Sequence, residues 1–208
     1  RRDAVEALEN LLITDHETAW AELAVEPQDM SSMVAKGKVQ YSEPMVSARV
    51  DELEAVKAAI EGGAKKIIFG GDLLQRKPYE LSIYEQVAKL CKDHDVLCVF
   101  ATPRVVKDDE VKAYMNTLKT MVEAKPDSIS IHVPQALLWL RDLGYTGAVE
   151  ADTGLNIFNG SALQVWQDFN MSSIAPSLEL TLTQLVNLQK STNLPLEIMV
   201  HGYTEMMI

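Results

Sequence analysis

Positive charge is scarce in this sequence: 19 Lys and Arg stand against 30 Asp and Glu, a formal net charge of −11 over 208 residues. Holding nucleic acid by general electrostatics needs a basic surface that neutralises phosphates, so that class is disfavoured, although a local basic cleft is not excluded. Cysteine is nearly absent. Cys91 falls in an amphipathic helix pattern and Cys98 in a strand pattern, which suits a reducing, cytoplasmic protein and excludes a disulfide scaffold. No apolar run reaches membrane-spanning length, so no membrane association is expected. Arg1-Arg2-Asp3 opens without an initiator Met or a signal-peptide core, and Met206-Met207-Ile208 closes without capping character. Both ends read as cuts through a longer protein, whose remainder is expected to pack on this domain. There is no G-x-G-x-x-G or Walker loop, no H-E-x-x-H for zinc and no G-x-S-x-G elbow, which weakens the dinucleotide, metalloprotease and serine-hydrolase readings.

What is present is an ordinary globular composition, 47% hydrophobic and 24% charged, in a chain long enough for one well-buried domain and somewhat short for eight β/α units. Residues 3–12 repeat Ala4, Val5, Leu8, Leu11 and Leu12 on one helix face. Residues 14–38 are mixed, so 1–38 are expected to be a helix and connector, the tail of a preceding region. From 39 to 208 the pattern is regular. Apolar, β-branched runs at 45–50, 66–69, 96–100, 129–133, 148–150, 172–175 and 196–200 predict seven strands. Between them, helix-period segments carry Leu53, Val56 and Ile60, then Tyr84, Val87, Ala88 and Cys91, then Val111, Tyr114, Met115, Leu118 and Val122. Three more follow at 137–143, 163–169 and 178–188. Strands alternating with helices imply βαβ crossovers and a parallel sheet. Strands apolar at nearly every position suit one covered on both faces. The expected fold is α/β: a parallel β/α (TIM-like) barrel, incomplete, with an N-terminal helical extension. An open doubly wound sheet is the alternative.

The working face of such a barrel lies at the C-terminal ends of its strands. There the sequence delivers Gly70-Gly71-Asp72, Thr102-Pro103-Arg104, Ser130 and His132, Glu150 and Asp152 followed by Asn156 and Asn159, Ser177 and Glu179, and His201-Gly202. His132 is open equally to a catalytic role and to a strand-end imidazole hydrogen-bonded to backbone. His201 before Gly202 is the better catalytic candidate, since glycine permits close backbone approach. Glu179 is a candidate carboxylate or simply first-turn helix charge after an N-capping Ser177. Asn156 and Asn159 are candidate substrate ligands or turn formers. Arg104 offers a clamp for an anion, and Asp72 either binds a ligand or ends a strand. No metal ligands are assigned.

These residues also carry a resemblance. Residues 153–162, Thr-Gly-Leu-Asn-Ile-Phe-Asn-Gly-Ser-Ala, are similar to the "LN-x-x-N-x-x-A" element of the U32 (collagenase-like) peptidase family. Residues 173–181 resemble its "LS-x-EL" element, and Glu197 to Gly202 its "E-x-x-x-HG". Ile67 to Gly71 and Thr102-Pro103-Arg104 resemble its "YxGG" and "PR" loops, and Arg1 to Val5 its "RR-x-A" helix. The resemblance implies a collagenase-like peptidase. By analogy with other members it also implies an oxygen-independent hydroxylase of ubiquinone precursors or RNA bases, carrying a 4Fe–4S cluster on cysteines that begin at or just after the "HG". Here Tyr203, Thr204 and Glu205 stand in that place. No cofactor is therefore expected within these residues and a cluster only in a full-length protein, with the substrate a small molecule, peptide or RNA. A binding module, with Arg104 and His201 holding a small anion in the barrel mouth, is the non-enzymatic alternative.

Overall fold

The alternation of apolar runs and helix-period segments becomes, in the computed structural model, a parallel sheet with helices on its outer side. The structure describes Ala7, Asn10, 44–71 and 79–202. The chain divides into units Arg1–Val34 and Ala35–Ile208. Ala7 and Asn10 of the first are helical, and the rest of the helix and connector expected over 1–38 lies outside the described residues.

In the second unit the order is β1 (Ser47–Val50), α1 (Leu53–Glu61), β2 (Lys66–Gly70), α2 (Leu81–Asp93), β3 (Leu97–Ala101), α3 (Val111–Glu123), β4 (Ser128–Ile131), α4 (Gln135–Asp142), β5 (Ala148–Ala151), α5 (Gly160–Asp168) and α6 (Leu182–Lys190). The strands lie side by side in chain order, β1-β2-β3-β4-β5, and every pairing is parallel. This is the expected α/β alternation. The two later strand signals shrink to single parallel bridges, Ala151 to Ile174 and Ile174 to Leu196. Among the described residues no backbone ladder returns from Leu196 to β1.

Side-chain alternation divides the strands into two faces. Ile67, Phe69, Cys98, Phe100, Ile129, Ile131, Ala151 and Ile174 point outward. They pack with Val56, Tyr84, Val87, Cys91, Leu118, Met121, Leu140 and Leu163 from the helices. Each Val, Leu, Ile, Met or Phe side chain among them contributes about 1.5–3 kcal/mol by leaving water. Ile68, Val99 and Ala101 form a separate small cluster on the inner face. Their inner neighbours are polar: Ser47 and Arg49 on β1, Lys66 on β2, Ser128 and Ser130 on β4, Glu150 on β5.

That inner face is strongly curled. In a flat sheet β1 and β5, four strands apart, would be separated by about 19 Å. Yet Arg49 Nη2 of β1 lies 2.5 Å from Asp152 Oδ2, the residue after β5. Lys66 Nζ of β2 sits 2.6 Å from both Glu150 Oε2 of β5 and Glu197 Oε2 beyond the Leu196 bridge. Ser47 Oγ of β1 donates to Glu197 Oε1 at 2.7 Å. Such contacts are possible only across the interior of a rolled sheet, so side chains span the seam that the backbone ladder leaves open.

Candidate functional site

The interior polar groups fall into two layers, separated by Ile68 and Val99. The lower layer, toward the N-terminal ends of the strands, is Lys66 with Glu150 and Glu197. Ser128 Oγ donates to Glu150 Oε1 at 2.6 Å and Ser47 to Glu197. Burial disfavours the Lys66 ammonium, but the two adjacent carboxylates and their hydrogen bonds outweigh it, and its pKa is raised above the ordinary value.

The upper layer lies at the C-terminal ends, where a β/α sheet does its chemistry. Its centre is the Asp152 carboxylate, 1% exposed. Oδ2 accepts from Arg49 Nη2 and from Ser130 Oγ, each at 2.5 Å, and His132 Nε2 is 3.4 Å away. Oδ1 accepts from Thr153 N–H at 2.8 Å. Burial opposes ionisation here. The charges of His132 and Arg49 and the hydrogen bonds from Ser130 and Arg49 overcome it and hold the Asp152 carboxyl well below the usual carboxylate range.

His132 follows β4 and is 5% exposed. Burial pushes its pKa down to about 4. Asp152 works against that shift, while Arg49 and Arg104 add to it. The ring is therefore neutral at pH 7. Its Nδ1 accepts from Gly154 N–H at 3.2 Å, which assigns the single ring proton to Nε2, facing Asp152. The backbone N–H of His132 donates to Thr102 Oγ1 at 3.1 Å. Gly154 is required by this approach: a Cβ there would stand 2.7 Å from His132 Nδ1 and 2.8 Å from its carbonyl oxygen.

The following residues explain the asparagines locally. Thr153–Leu155 is a 3₁₀ turn that ends on Asn156 in the left-handed region, φ 53°, a conformation asparagine tolerates well. Asn159 is the N-cap of α5, its Oδ1 accepting from Ala162 N–H at 2.9 Å. The spacing Leu155-Asn156-x-x-Asn159-x-x-Ala162 is thus a turn followed by a helix cap. Asn159→Ala is expected to cost about 1 kcal/mol of stability, measured by urea denaturation, and to leave ligand binding at the mouth unchanged.

The other candidates are spread out. Arg104 is half-buried in the loop after β3, close enough to act on the His132 ring. Glu179 is exposed in a turn. It is not first-turn helix charge, because α6 starts at Leu182 with Thr181 as its N-cap in a reciprocal capping box with Gln184. Ser177 instead sits in the preceding turn, where its Oγ receives Glu179 N–H at 3.5 Å. His201 is exposed beside Gly202, whose φ is 140°. Asp72 lies outside the described residues, as do Tyr203, Thr204 and Glu205. The structure therefore brings His132 and Arg104 together with Arg49, Ser130 and Asp152. Neither Glu179 nor His201 has a described side-chain bond to that group. Sequence reading passed over Arg49 and Lys66. The available signal was polar residues at i and i+2, Ser47/Arg49 and Ser128/Ser130, which mark one face of a strand.

A 4Fe–4S cluster does not fit these residues. It needs cysteine thiolates around an accessible centre. The chain has two cysteines, both free and buried in the outer layer between α2 and β3, on the opposite side of the sheet from Asp152. Among the described residues no group of three or more His, Cys, Asp or Glu could hold a metal ion. None of the described helices is long and apolar enough to cross a membrane.

A parallel β/α sheet, rolled around paired charges and carrying a buried polar cluster at its C-terminal ends, defines the class. The model of peptidase family U32 matches residues 51–208, and the chain belongs to that family. The fold is similar to that of a solved structure, the U32 peptidase Mk0906. The TM-score is 0.58 at 13% sequence identity, over 78% of this chain and 71% of the other. No curated protein matches the sequence.

Proposed function

We propose that this chain is the substrate-binding barrel of a U32-family enzyme, with substrate seated at the C-terminal mouth. The observation that supports this reading is the convergence there of Arg49 from β1, Ser130 from β4 and His132, just after β4, on the carboxylate of Asp152, just after β5. A buried, mutually paired polar cluster contributes less to stability than an apolar core of equal volume, and at the working end of a β/α sheet it is better accounted for by function.

For the whole protein we propose oxygen-independent hydroxylation of an RNA base or a quinone precursor in the cytoplasm. The cluster's thiolates would come from outside these 208 residues. Peptidase activity, which the family and Mk0906 carry in their names, is the second reading. It is favoured less because the hydroxyl and imidazole of the mouth are committed: Ser130 Oγ–H to Asp152, and His132 Nδ1 to Gly154 N–H. A nucleophile–base pair needs that acceptor nitrogen free. Two assays separate the readings. Anaerobic reconstitution of the full-length protein is expected to give a brown product containing iron and sulfide, and a colourless, iron-free product overturns hydroxylation. This chain is expected to leave gelatin intact. Gelatin cleavage that disappears in His201→Ala would establish proteolysis in its place.

A further inference from the structure

The geometry points to an oxyanion receptor at the barrel mouth: we infer that the outer edge of the Arg49 guanidinium holds a carboxylate or phosphate group of a small ligand. The inference rests on the mouth being the substrate face and adds the chemical class of what binds there.

A guanidinium carries five N–H donors in a planar fork. Arg49 spends one Nη2 hydrogen on Asp152, and among the described residues Nε and Nη1 have no protein acceptor, so the second Nη2 hydrogen and its neighbour on the same edge remain as a two-donor fork. The side chain is 31% exposed, whereas that of Asp152 is 1% exposed, so Arg49 is open to solvent where its carboxylate partner is not. Asp152 cannot turn to cover the fork, because Oδ2 also accepts from Ser130 and Oδ1 from Thr153. The carboxylate therefore fixes the plane of the guanidinium and leaves a fork whose geometry matches two oxygens of a carboxylate or phosphate.

Gly71 keeps that edge open. It follows β2 with φ 90°, a conformation that favours glycine. A Cβ at this position would come within 3.1 Å of Arg49 Nη1. Two guanidiniums, Arg49 and Arg104, act on the His132 ring, so cations stand at this face of a chain whose net charge is −11.

The test is isothermal titration calorimetry of the whole chain at low ionic strength, with inorganic phosphate and malonate as separate probes and chloride as the control. One saturable site is expected for at least one probe, absent with chloride. Arg49→Lys, which keeps the charge beside Asp152 but loses the fork, is expected to weaken it by about tenfold. Arg104→Gln is expected to weaken it less. Phosphate alone saturating identifies a phosphate-bearing ligand, and malonate alone a carboxylate. No saturable heat with either probe, or binding that Arg49→Lys leaves unchanged in a variant with parental circular dichroism, overturns the receptor. Failure of the substrate-face reading looks different: the anion binds as described, but Arg49→Lys does not change turnover by the full-length enzyme.

Discussion

Lys66→Met is expected to lower the unfolding free energy by about 3–5 kcal/mol, because it leaves two carboxylates facing each other in the barrel with no cation between them. The side chains of Lys66, Glu150 and Glu197 are 7%, 11% and 22% exposed, too little for water to screen the repulsion fully. The effect is a penalty for orphaned charge and not the net worth of the pairs. Adding Glu150→Gln and Glu197→Gln to Lys66→Met should therefore restore most of the lost stability. Urea denaturation of the parent, the single variant and the triple variant measures all three. A single variant as stable as the parent would mean that the layer is solvated. The pH dependence has a definite sign. The folded pKa of Lys66 is raised above 10.5, so its contribution is fully present below that value and is lost as the pH climbs through the folded pKa. Alkaline melts should show this loss, and the triple variant should not.

The outer half of the fold was legible because its signal is redundant. Tyr84, Val87 and Cys91 recur at helical spacing on α2, and Ile67/Phe69 and Ile129/Ile131 recur at strand spacing. Each apolar residue is supported by its neighbours in sequence. The inner half was not legible, for a physical reason. A strand of four residues offers two inward positions, and an alternation of two is no stronger than chance. Nothing local in Ser-Ala-Arg-Val marks Arg49 as inward-facing, and nothing marks Lys66 beside Lys65. What makes them interior residues is contact across the barrel, with Arg49 to Asp152 spanning 103 positions and Lys66 to Glu197 spanning 131. No local pattern encodes such a pair. The expectation of strands apolar on both faces is corrected accordingly: the outer face is apolar, while the inner face alternates charge with small apolar residues. At the mouth, Asp152 and His132 were visible as strand-end residues. The arginine that gives them their charge environment was not, because it enters from β1, at the opposite edge of the sheet. The roles of Asn156 and Asn159, by contrast, are local and could be read as turn chemistry.

His132 makes the second large effect, on the acid side. Its ordinary pKa is 6.5 and its folded value is about 4. Each unit between them is worth 1.36 kcal/mol, so about 3 kcal/mol of stability is at stake. The folded pKa is depressed, so the contribution is fully present above pH 6.5 and is lost as the pH falls through the folded value. Two contacts resist protonation. Nδ1 would have to give up the Gly154 N–H it now accepts, and the new charge would face Arg49 and Arg104 with only Asp152 to balance them. Other carboxylates also titrate below pH 5, so the informative quantity is a difference. Urea midpoints of the parent and of His132→Gln should diverge steadily from pH 7 to pH 4, the parent losing more, because glutamine can donate to Asp152 without acquiring charge. Histidine ¹³Cε1 shifts followed over the same range should move late, near pH 4. Parallel urea curves, or a ring that titrates near 6.5, would mean that the imidazole is open to water. The tautomer that commits it to Gly154 would then be wrong, and His132 would again be available as a general base for the proteolytic reading.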